Sequence, residues 1–474
     1  MTNRSWQRTP EAFTERIEQI LPWITSYMKC ARGPWSPCQP GEIRDALPWG
    51  PPESPESLEV VMDDLQRVIE PGMVRWDAPG WFAWFPCNCH PDALLGDLIS
   101  GVTAQQGMMW ASSPACTELE VRMLEWMRQA LGLPDVFKEG GAGGGVIQDT
   151  ASSGVLACMV AARDRATEWK ASELGGPACT GLTAYASEQA HSSVLKAAGI
   201  CGIGRSQLRL VPTDDQFRMR PDALAAMMEA DVNAGLTPCF CVATVGTTGC
   251  GSFDPVEPIA GICESHGCWL HVDAAWAGTA ALAEIHRSEI IAGAEGADSW
   301  SFNPHKWMGA SFDCSLLWLA DRAPLNEAMS IHPEYLRNQA TDSGQVIDYR
   351  DWHVQLGRRF RAIKLWLLLR CTGLDALAEM VRTHVSMAIQ LEQAIASASH
   401  LELAAPRSLS LLCVQHQSGD EATQRLIDAV NNSGQFAVTH CALNGRLAMR
   451  IAVGAAATDE ATIKSLASLL LTSH

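Results

Sequence analysis

The sequence predicts an α/β protein in which helices cover both faces of a mostly parallel sheet. Between about residues 96 and 365, helical patterns alternate with six short runs rich in β-forming residues: LTAYAS, LRLVP, CFCVATVG, CWLHVDAA, SWSFNP and CSLLWLA. Such alternation is typical of a parallel sheet built from βαβ units. Residues 366–474 begin with one long helix pattern, and the strand-like runs LSLLCVQH and RLAMRIAV and a final helix follow. This last segment predicts a small α+β domain.

The first 95 residues predict helices that form no core of their own. An amphipathic pattern over MTNRSWQRTPEAFTERIEQILPW is followed by the proline-rich breaks PWSPCQPGE and LPWGPPESPES. This stretch lacks the apolar core of a signal peptide, no apolar run reaches membrane-spanning length, and the 17 cysteines are scattered. We therefore expect a cytoplasmic protein with reduced thiols and no membrane contact.

The charge balance limits the class of partner. The 474 residues include 35 basic and 53 acidic side chains, for a net charge of −18. This surplus of acidic side chains argues against nucleic acid as a partner but allows a local pocket for a small anion. Cys87, Cys89 and His90 lie in PCNCHPD, whose spacing fits no zinc pattern, so we expect no metal site there.

Polar residues end several of the predicted strands. They are His191 after AYASEQA, Thr244 in VATVGTT, Asp273 in LHVDAAWAG, and His305 with Lys306 in SFNPHKWMG. Sites in such sheets form beyond the carboxyl ends of the strands. We therefore expect these side chains to meet in one site.

Lys306 is the most unusual of these residues. Of the seven lysines, only Lys306 and Lys364 lie in apolar surroundings, and the stem of Lys364 could follow a helix to solvent. Burial disfavours the charged form of an amine and lowers its pKa. A neutral amine can attack an aldehyde, and pyridoxal phosphate (PLP) is the cofactor that uses this chemistry.

Further residues could support PLP, although each also has an ordinary structural interpretation. Asp273 could keep the pyridine nitrogen protonated, or it could simply cap a helix. His191 could stack on the ring, or it could be a common core histidine. Thr150, Ala151 and Ser152 follow glycines and precede a helix pattern, which suits either a phosphate cradle or a flexible loop with an N-cap. Contacts could also come from two neighbours of the lysine, Asn303 and His305.

Seven ordered motifs carry a resemblance to a known family: ASSPACTELE, GGGVIQ, AHSSV, VATVGTT, HVDAAWAG, FNPHKW and LGRRFR. With them the chain resembles group II PLP-dependent decarboxylases, and most of all the aromatic L-amino-acid decarboxylases. The resemblance implies fold-type I, an obligate homodimer with its site at the subunit interface, and an N-terminal segment that clasps the partner.

The resemblance also implies roles for single residues. Lys306 would bind PLP covalently, Asp273 would pair with the pyridine nitrogen and His191 would stack on the ring. Thr244 would lie close to the cofactor. The phosphate would be held around Ala151 and Ser152, with Thr150 where relatives often have serine and with help from Asn303.

Residues 328–349 form a polar, turn-rich segment that resembles the mobile catalytic loop of the family. Tyr335 matches the loop tyrosine, whose phenol can protonate the product carbon. Related aldehyde synthases carry phenylalanine at this tyrosine or asparagine at the position of His191. Both residues therefore predict amine formation, with an aldehyde synthase as the alternative.

The same comparison predicts a substrate pocket lined by Gly80, Trp81, Gln106, Met108 and Gly357. Gly80 would vacate space, Gln106 would add an amide, and a glycine at position 357 accompanies indole substrates in plant relatives. These features favour tryptophan or 5-hydroxytryptophan, unless Trp81 or Trp276 fills the space. The alternatives are phenylalanine, tyrosine or DOPA. A glutamate-type substrate fits the aromatic stretch GWFAWFP less well, and a DNA-binding regulator would need a basic segment that is absent from the sequence.

Overall fold

The computed structural model describes residues 9–30, 32–87, 89–331, 334–336 and 338–472. Within these ranges the strands are β1 (Gly144–Gln148), β2 (Leu182–Ser187), β3 (Leu208–Val211), β4 (Thr237–Thr244), β5 (Trp269–Asp273), β6 (Ser299–Phe302), β7 (Ser315–Leu319), β8 (Leu401–Leu403), β9 (Leu411–His416), β10 (Thr439–Leu443) and β11 (Arg446–Ala452).

The α-helices of the same ranges surround these strands. They are α1 (Pro10–Lys29), α2 (Glu42–Ala46), α3 (Leu58–Asp64), α4 (Pro91–Thr103), α5 (Pro114–Leu131), α6 (Ala151–Ala166), α7 (Lys170–Leu174), α8 (Ser193–Ile200), α9 (Pro221–Asn233), α10 (Val256–Ser265), α11 (Glu284–Ile290), α12 (Ala323–Met329), α13 (Gln339–Asp342), α14 (Ala362–Thr372), α15 (Leu374–Ala396), α16 (Asp420–Asn432) and α17 (Glu460–Thr472). None of these helices combines the length and apolar composition that crossing a bilayer requires.

Seven strands form the large sheet, in the order β1-β7-β6-β5-β4-β2-β3. Only β7 runs antiparallel to its neighbours, so the predicted α/β class with a mostly parallel sheet is confirmed. All six strand-like runs of the sequence are strands, β2 to β7. The glycines of GGGVIQ concealed β1, because glycine is rare in strands.

A second sheet of four antiparallel strands, in the order β10-β11-β9-β8, lies in the last part of the chain. The single long helix expected after residue 365 is wrong. Gly373 has φ +81° and divides it into α14 and α15. The short strands β8 and β10 were not predicted. The division of the chain at residues 95 and 365 stays a prediction.

The expectation that Lys364 reaches solvent is also wrong. Its side chain is buried, with Nζ 2.8 Å from an Asp97 carboxylate oxygen and donating to the Ser311 carbonyl. A buried ammonium needs such partners. Lys364 therefore joins α14 to α4 and takes part in packing.

Candidate active site

The carboxyl ends of β2, β4, β5 and β6 meet at a cavity of about 180 Å³. The cavity is lined by Phe85, Thr150, Ala151, Ser152, His191, Thr244, Gly246, Thr248, Asp273, Ala275, Trp276, Asn303, His305 and Lys306. All nine residues that the sequence suggested for a cofactor are therefore neighbours in space. What each would bind stays a proposal.

Lys306 lies in the turn after β6 and projects into this cavity. Its backbone N–H donates to the Asn303 carbonyl at 3.0 Å, which fixes the turn. Nζ lies 5.1 Å from the centre of the Phe85 ring. Burial lowers the pKa of Lys306, Asp273 opposes this shift, and the nearby positive charge of Arg450 adds to it. The amine thus becomes neutral, and nucleophilic, at a lower pH than an exposed lysine.

Asp273 is the last residue of β5 and is buried beside Lys306. One carboxylate oxygen accepts the Ala275 N–H at 3.0 Å, which fixes the orientation of the group. The hydrogen bonds of the described residues leave the second oxygen unused. The Asp273 carbonyl accepts the Val245 N–H at 2.9 Å and so ties the end of β5 to the end of β4.

His191 follows β2 at the mouth of the cavity, and part of its ring is exposed in the single chain. Nδ1 accepts the Ser193 N–H at 3.2 Å and lies 2.9 Å from the Ser193 hydroxyl oxygen. These contacts favour the tautomer with its proton on Nε2. Burial of the remaining ring surface lowers the pKa of His191, which favours the neutral ring.

The N-terminus of α6 opens onto the same cavity. Thr150 is the N-cap, and its hydroxyl accepts the Ser153 N–H at 3.4 Å. The first N–H groups of a helix have no partner within it and attract anions. The Asn303 side chain is oriented by a hydrogen bond, because its amide oxygen accepts the Ser315 hydroxyl at 2.6 Å. A phosphate group would find N–H donors here.

His305 lines the cavity with an uncharged imidazole ring. Its Nδ1 accepts the Cys314 N–H at 2.9 Å, and burial lowers its pKa to about 3. Phe312 packs against the ring with 4.8 Å between ring centres. His305 thus holds the turn that carries Lys306 without adding charge.

One unsatisfied atom supports a polar occupant of the cavity. The Thr244 hydroxyl is buried and has no hydrogen-bond partner among the described residues. Such a group carries a desolvation cost unless a ligand satisfies it. A PLP molecule with its phosphate at α6 and its ring nitrogen at Asp273 would bring polar atoms to this region. The residues present therefore fit PLP.

Sequence reasoning missed an aromatic and cationic wall behind Lys306. The Phe85 ring stacks on Trp276 with centres 4.8 Å apart, and the Arg450 guanidinium lies 4.3 Å from the Phe85 centre. Arg450 is buried, donates to the carbonyls of Thr248 and Trp84, and keeps Nη2 unpaired among the described residues. The sequence indicated Arg450 only by the presence of an arginine inside the otherwise apolar strand RLAMRIAV.

The predicted substrate residues do not line this cavity in the single chain. A Cβ on Gly80 would lie 2.1 Å from the Gln435 carbonyl oxygen, so the idea that Gly80 vacates space is wrong. Trp81 is fully buried. Gln106 and Gly357 are neighbours, because Gln106 Oε1 accepts the Arg358 N–H at 2.5 Å. Met108 follows Gly107, whose N–H donates to the Arg358 carbonyl at 3.1 Å, and the Met108 carbonyl accepts the Arg350 N–H at 2.9 Å.

The segment 328–349 is described in part, at residues 328–331, 334–336 and 338–349, and its mobility stays a prediction. It contains the end of α12, a short 3₁₀ turn (Glu334–Leu336) and α13. The Leu336 carbonyl accepts from the Arg350 guanidinium at 3.3 Å. Tyr335 lies in the 3₁₀ turn, and its side chain is outside the described residues.

Comparisons with known proteins agree with this geometry. The family model of the pyridoxal-dependent decarboxylase conserved domain matches residues 40–417. Tyrosine decarboxylase 2 of Narcissus pseudonarcissus is 40% identical over 465 residues, 96% of this chain and 92% of the relative. Aromatic-L-amino-acid decarboxylase of Bos taurus is 38% identical over 449 residues, 93% and 91% of the two chains. A crystal structure of Oryza sativa TDC with PLP and tryptamine has a TM-score of 0.94 at 35% identity, covering 98% of this chain and 97% of the other.

Proposed function

Because the chain belongs to the pyridoxal-dependent decarboxylases, and within them to the aromatic amino-acid decarboxylases, we propose that it converts aromatic L-amino acids to arylalkylamines and CO₂. The observation that carries this proposal is the partly buried Lys306 amine, whose pKa is lowered, beside Asp273 in one cavity. PLP, the cofactor of this family, supplies when bound a ring that withdraws electron density from the substrate carbon. The residues around it provide binding, orientation and proton transfer.

The contacts of each residue support the role that we propose for it. The Lys306 amine, whose pKa is lowered by burial, would hold the cofactor through its carbonyl carbon. The unused oxygen of Asp273 would accept the pyridine N–H, and the His191 ring would cover a face of the cofactor. The phosphate would be held by the α6 N-terminus, from Thr150 to Ser152, and by the Asn303 amide. The Thr244 hydroxyl supplies a further polar contact, and His305 completes the wall.

We propose tryptophan or 5-hydroxytryptophan as the favoured substrate. The support that remains is the Gln106–Gly357 pair, where a side chain at residue 357 would meet Gln106 Nε2 at 3.3 Å. Gln106 Oε1 accepts one N–H already and keeps a second lone pair, which could accept an indole N–H. Phenylalanine has no side-chain donor for this lone pair, whereas tyrosine and DOPA carry phenol O–H groups, so this contact distinguishes the indole substrates from phenylalanine.

The substrate is tested by kcat/KM for tryptophan, 5-hydroxytryptophan, phenylalanine, tyrosine and DOPA on one preparation. We expect the indole substrates to be preferred modestly, because a pocket misfit of one methylene is worth about 1–3 kcal/mol. Gln106→Leu should reduce this preference and leave phenylalanine unaffected. A tenfold preference for phenylalanine or tyrosine, roughly 1.4 kcal/mol, would contradict the indole assignment and leave the decarboxylase assignment intact.

Tyr335→Phe tests whether the product is an amine. We propose that the Tyr335 phenol protonates the substrate carbon after CO₂ leaves. Without this acid, amine formation should fall by about 10²–10⁴-fold. Dissolved O₂ would then oxidise the substrate carbon and be reduced to hydrogen peroxide, and hydrolysis would release aldehyde and ammonia. Amine and aldehyde are measured together by chromatography. An unchanged amine yield would assign the proton to another group, and His191→Asn is the matched variant for that case.

We propose that the enzyme is a homodimer in which loop and substrate residues serve the cavity of the partner subunit. In the single chain α1 buries none of its residues, and Leu94, Leu98 and Val102 are exposed along α4. Such apolar surface is typical of an interface. The cluster of Gln106, Met108 and Gly357 adjoins the base of the loop and lies outside its own chain's cavity.

A hybrid dimer tests this arrangement. Co-expressed Lys306→Ala and Tyr335→Phe chains carrying different affinity tags would be purified as the mixed species. If the loop serves the partner, the hybrid contains one complete site and should regain about half of the wild-type amine formation. If each chain uses its own loop, the hybrid contains no complete site and stays inactive. A monomer by sedimentation would exclude the dimer altogether.

We also propose that the enzyme works in the cytoplasm. All 17 cysteines are free thiols, and thiols persist in reducing compartments. Cell fractionation with an antibody against the chain is the test, and recovery in an oxidising compartment would contradict the proposal.

A further inference from the structure

Asp254 is a buried carboxylate outside the cavity that supports its wall. The residue is 3% exposed, and no lysine or arginine of the described ranges forms an ion pair with it. Burial raises the pKa of Asp254 to about 7, although two donated N–H bonds oppose the rise. Burying a carboxylate without a cation costs stability. A group kept in this state is a candidate for a functional role.

The contacts of Asp254 converge on Thr244. One carboxylate oxygen accepts the Thr244 N–H at 2.8 Å, and the Asp254 N–H donates to the Thr244 carbonyl at 2.9 Å. The other oxygen accepts the Met219 N–H at 2.7 Å. Asp254 therefore holds both polar groups of the Thr244 backbone and joins them to a third segment of chain.

Thr244 connects Asp254 to the cavity. Its hydroxyl is the unpaired atom that faces the occupant, and the next N–H, of Val245, donates to the Asp273 carbonyl. A shift of residues 244 and 245 would therefore displace both the hydroxyl and the backbone of Asp273. Errors of about 1 Å in such positions are costly for catalysis.

We propose that Asp254 is a positioning residue for the decarboxylation, acting through Thr244 and Asp273 to set the cofactor pocket before the cofactor binds. The inference rests on the proposed function, in which the cofactor lies against these two residues. Asp254 does not itself touch the cavity.

Asp254→Asn tests the role because the amide keeps the size of the group but accepts hydrogen bonds at one oxygen only. Its NH₂ would face a backbone N–H, leaving that donor unsatisfied. We expect the affinity of the apoprotein for PLP, measured by quenching of tryptophan fluorescence, to fall by about tenfold or more. We expect kcat to fall similarly while the KM for the amino acid stays within about twofold, because a group outside the substrate pocket does not contribute uniform binding.

Asp164→Asn is the matched control. Asp164 is equally buried in the same sheet domain, but it pairs with Arg163 at 3.0 Å and receives the Ser172 hydroxyl, away from the cavity. This variant should lower the melting temperature and leave PLP affinity and kcat near wild type. Equal PLP affinity in Asp254→Asn and wild type would overturn the inference, whereas failure of the wild-type protein to bind PLP would overturn the proposed function instead.

Amide hydrogen exchange in the wild-type protein decides the case if Asp254→Asn does not fold. If the hydrogen bond from the Thr244 N–H to Asp254 is formed before the cofactor binds, this N–H should be among the slowest-exchanging amides of the apoprotein. Fast exchange of this amide without PLP, and protection only with PLP, would overturn the inference.

Discussion

Replacement of Lys306 by alanine is expected to abolish multiple turnover while leaving a folded protein. The cavity contains no other amine side chain, so the variant has no nucleophile for the cofactor carbonyl. A loss of at least about a thousandfold in kcat is expected when such a group is removed. Folding should be nearly unaffected, because Lys306 forms no ion pair within the described residues. Amine release and circular dichroism measure the two properties.

Lys364→Met is the control for removing a buried lysine. Lys364 is 1% exposed and pairs with Asp97, so its loss should lower the melting temperature without abolishing turnover. A small primary amine added to Lys306→Ala should restore slow turnover, since it replaces the missing group. Wild-type turnover by Lys306→Ala would refute the role of this lysine.

Asp273→Asn should be the second most damaging change. The unused oxygen of Asp273 would no longer carry charge, so the pyridine nitrogen would lose the partner that favours its protonated form. We expect kcat to fall by about 10²–10³-fold, the scale of removing one electrostatic partner at a reacting centre. PLP methylated on the ring nitrogen is permanently charged and should restore part of the activity.

Asp298→Asn provides the comparison for Asp273→Asn. Asp298 immediately precedes β6, at the amino ends of the strands and so on the far side of the sheet from the cavity. It pairs with Arg165 at 2.9 Å and accepts the Leu270 N–H. Its loss should leave kcat near wild type. Full activity in Asp273→Asn would show that another carboxylate faces the pyridine nitrogen.

Much of the large sheet could be predicted because its strands are buried on both faces. Runs such as CFCVATVG are continuous and apolar, and a buried parallel strand requires this pattern. Two features gave weaker signals. The strand β1 is rich in glycine, and the helix break at Gly373 depends on a positive φ that apolar periodicity does not reveal.

That the nine residues proposed for the cofactor line one cavity could be predicted, because strand order brings strand ends together and the family motifs pointed to the same residues. Arg450 and Phe85 could not, because they come from distant parts of the chain and meet only through packing of the second sheet. The Gly80 prediction failed for a related reason. Sequence shows that a side chain is absent, but only the fold shows that the Gln435 backbone occupies its place.

Borohydride reduction of the PLP-loaded protein, followed by peptide mass mapping, tests whether Lys306 is the residue that binds the cofactor covalently. The reduction makes the bond between cofactor and lysine permanent. We expect one phosphopyridoxyl group per chain, on the peptide that contains SFNPHKWMG, with the mass increment at Lys306. Labelling of another lysine, such as Lys196 or Lys364, or no labelling of a protein that still releases amine, would contradict this expectation.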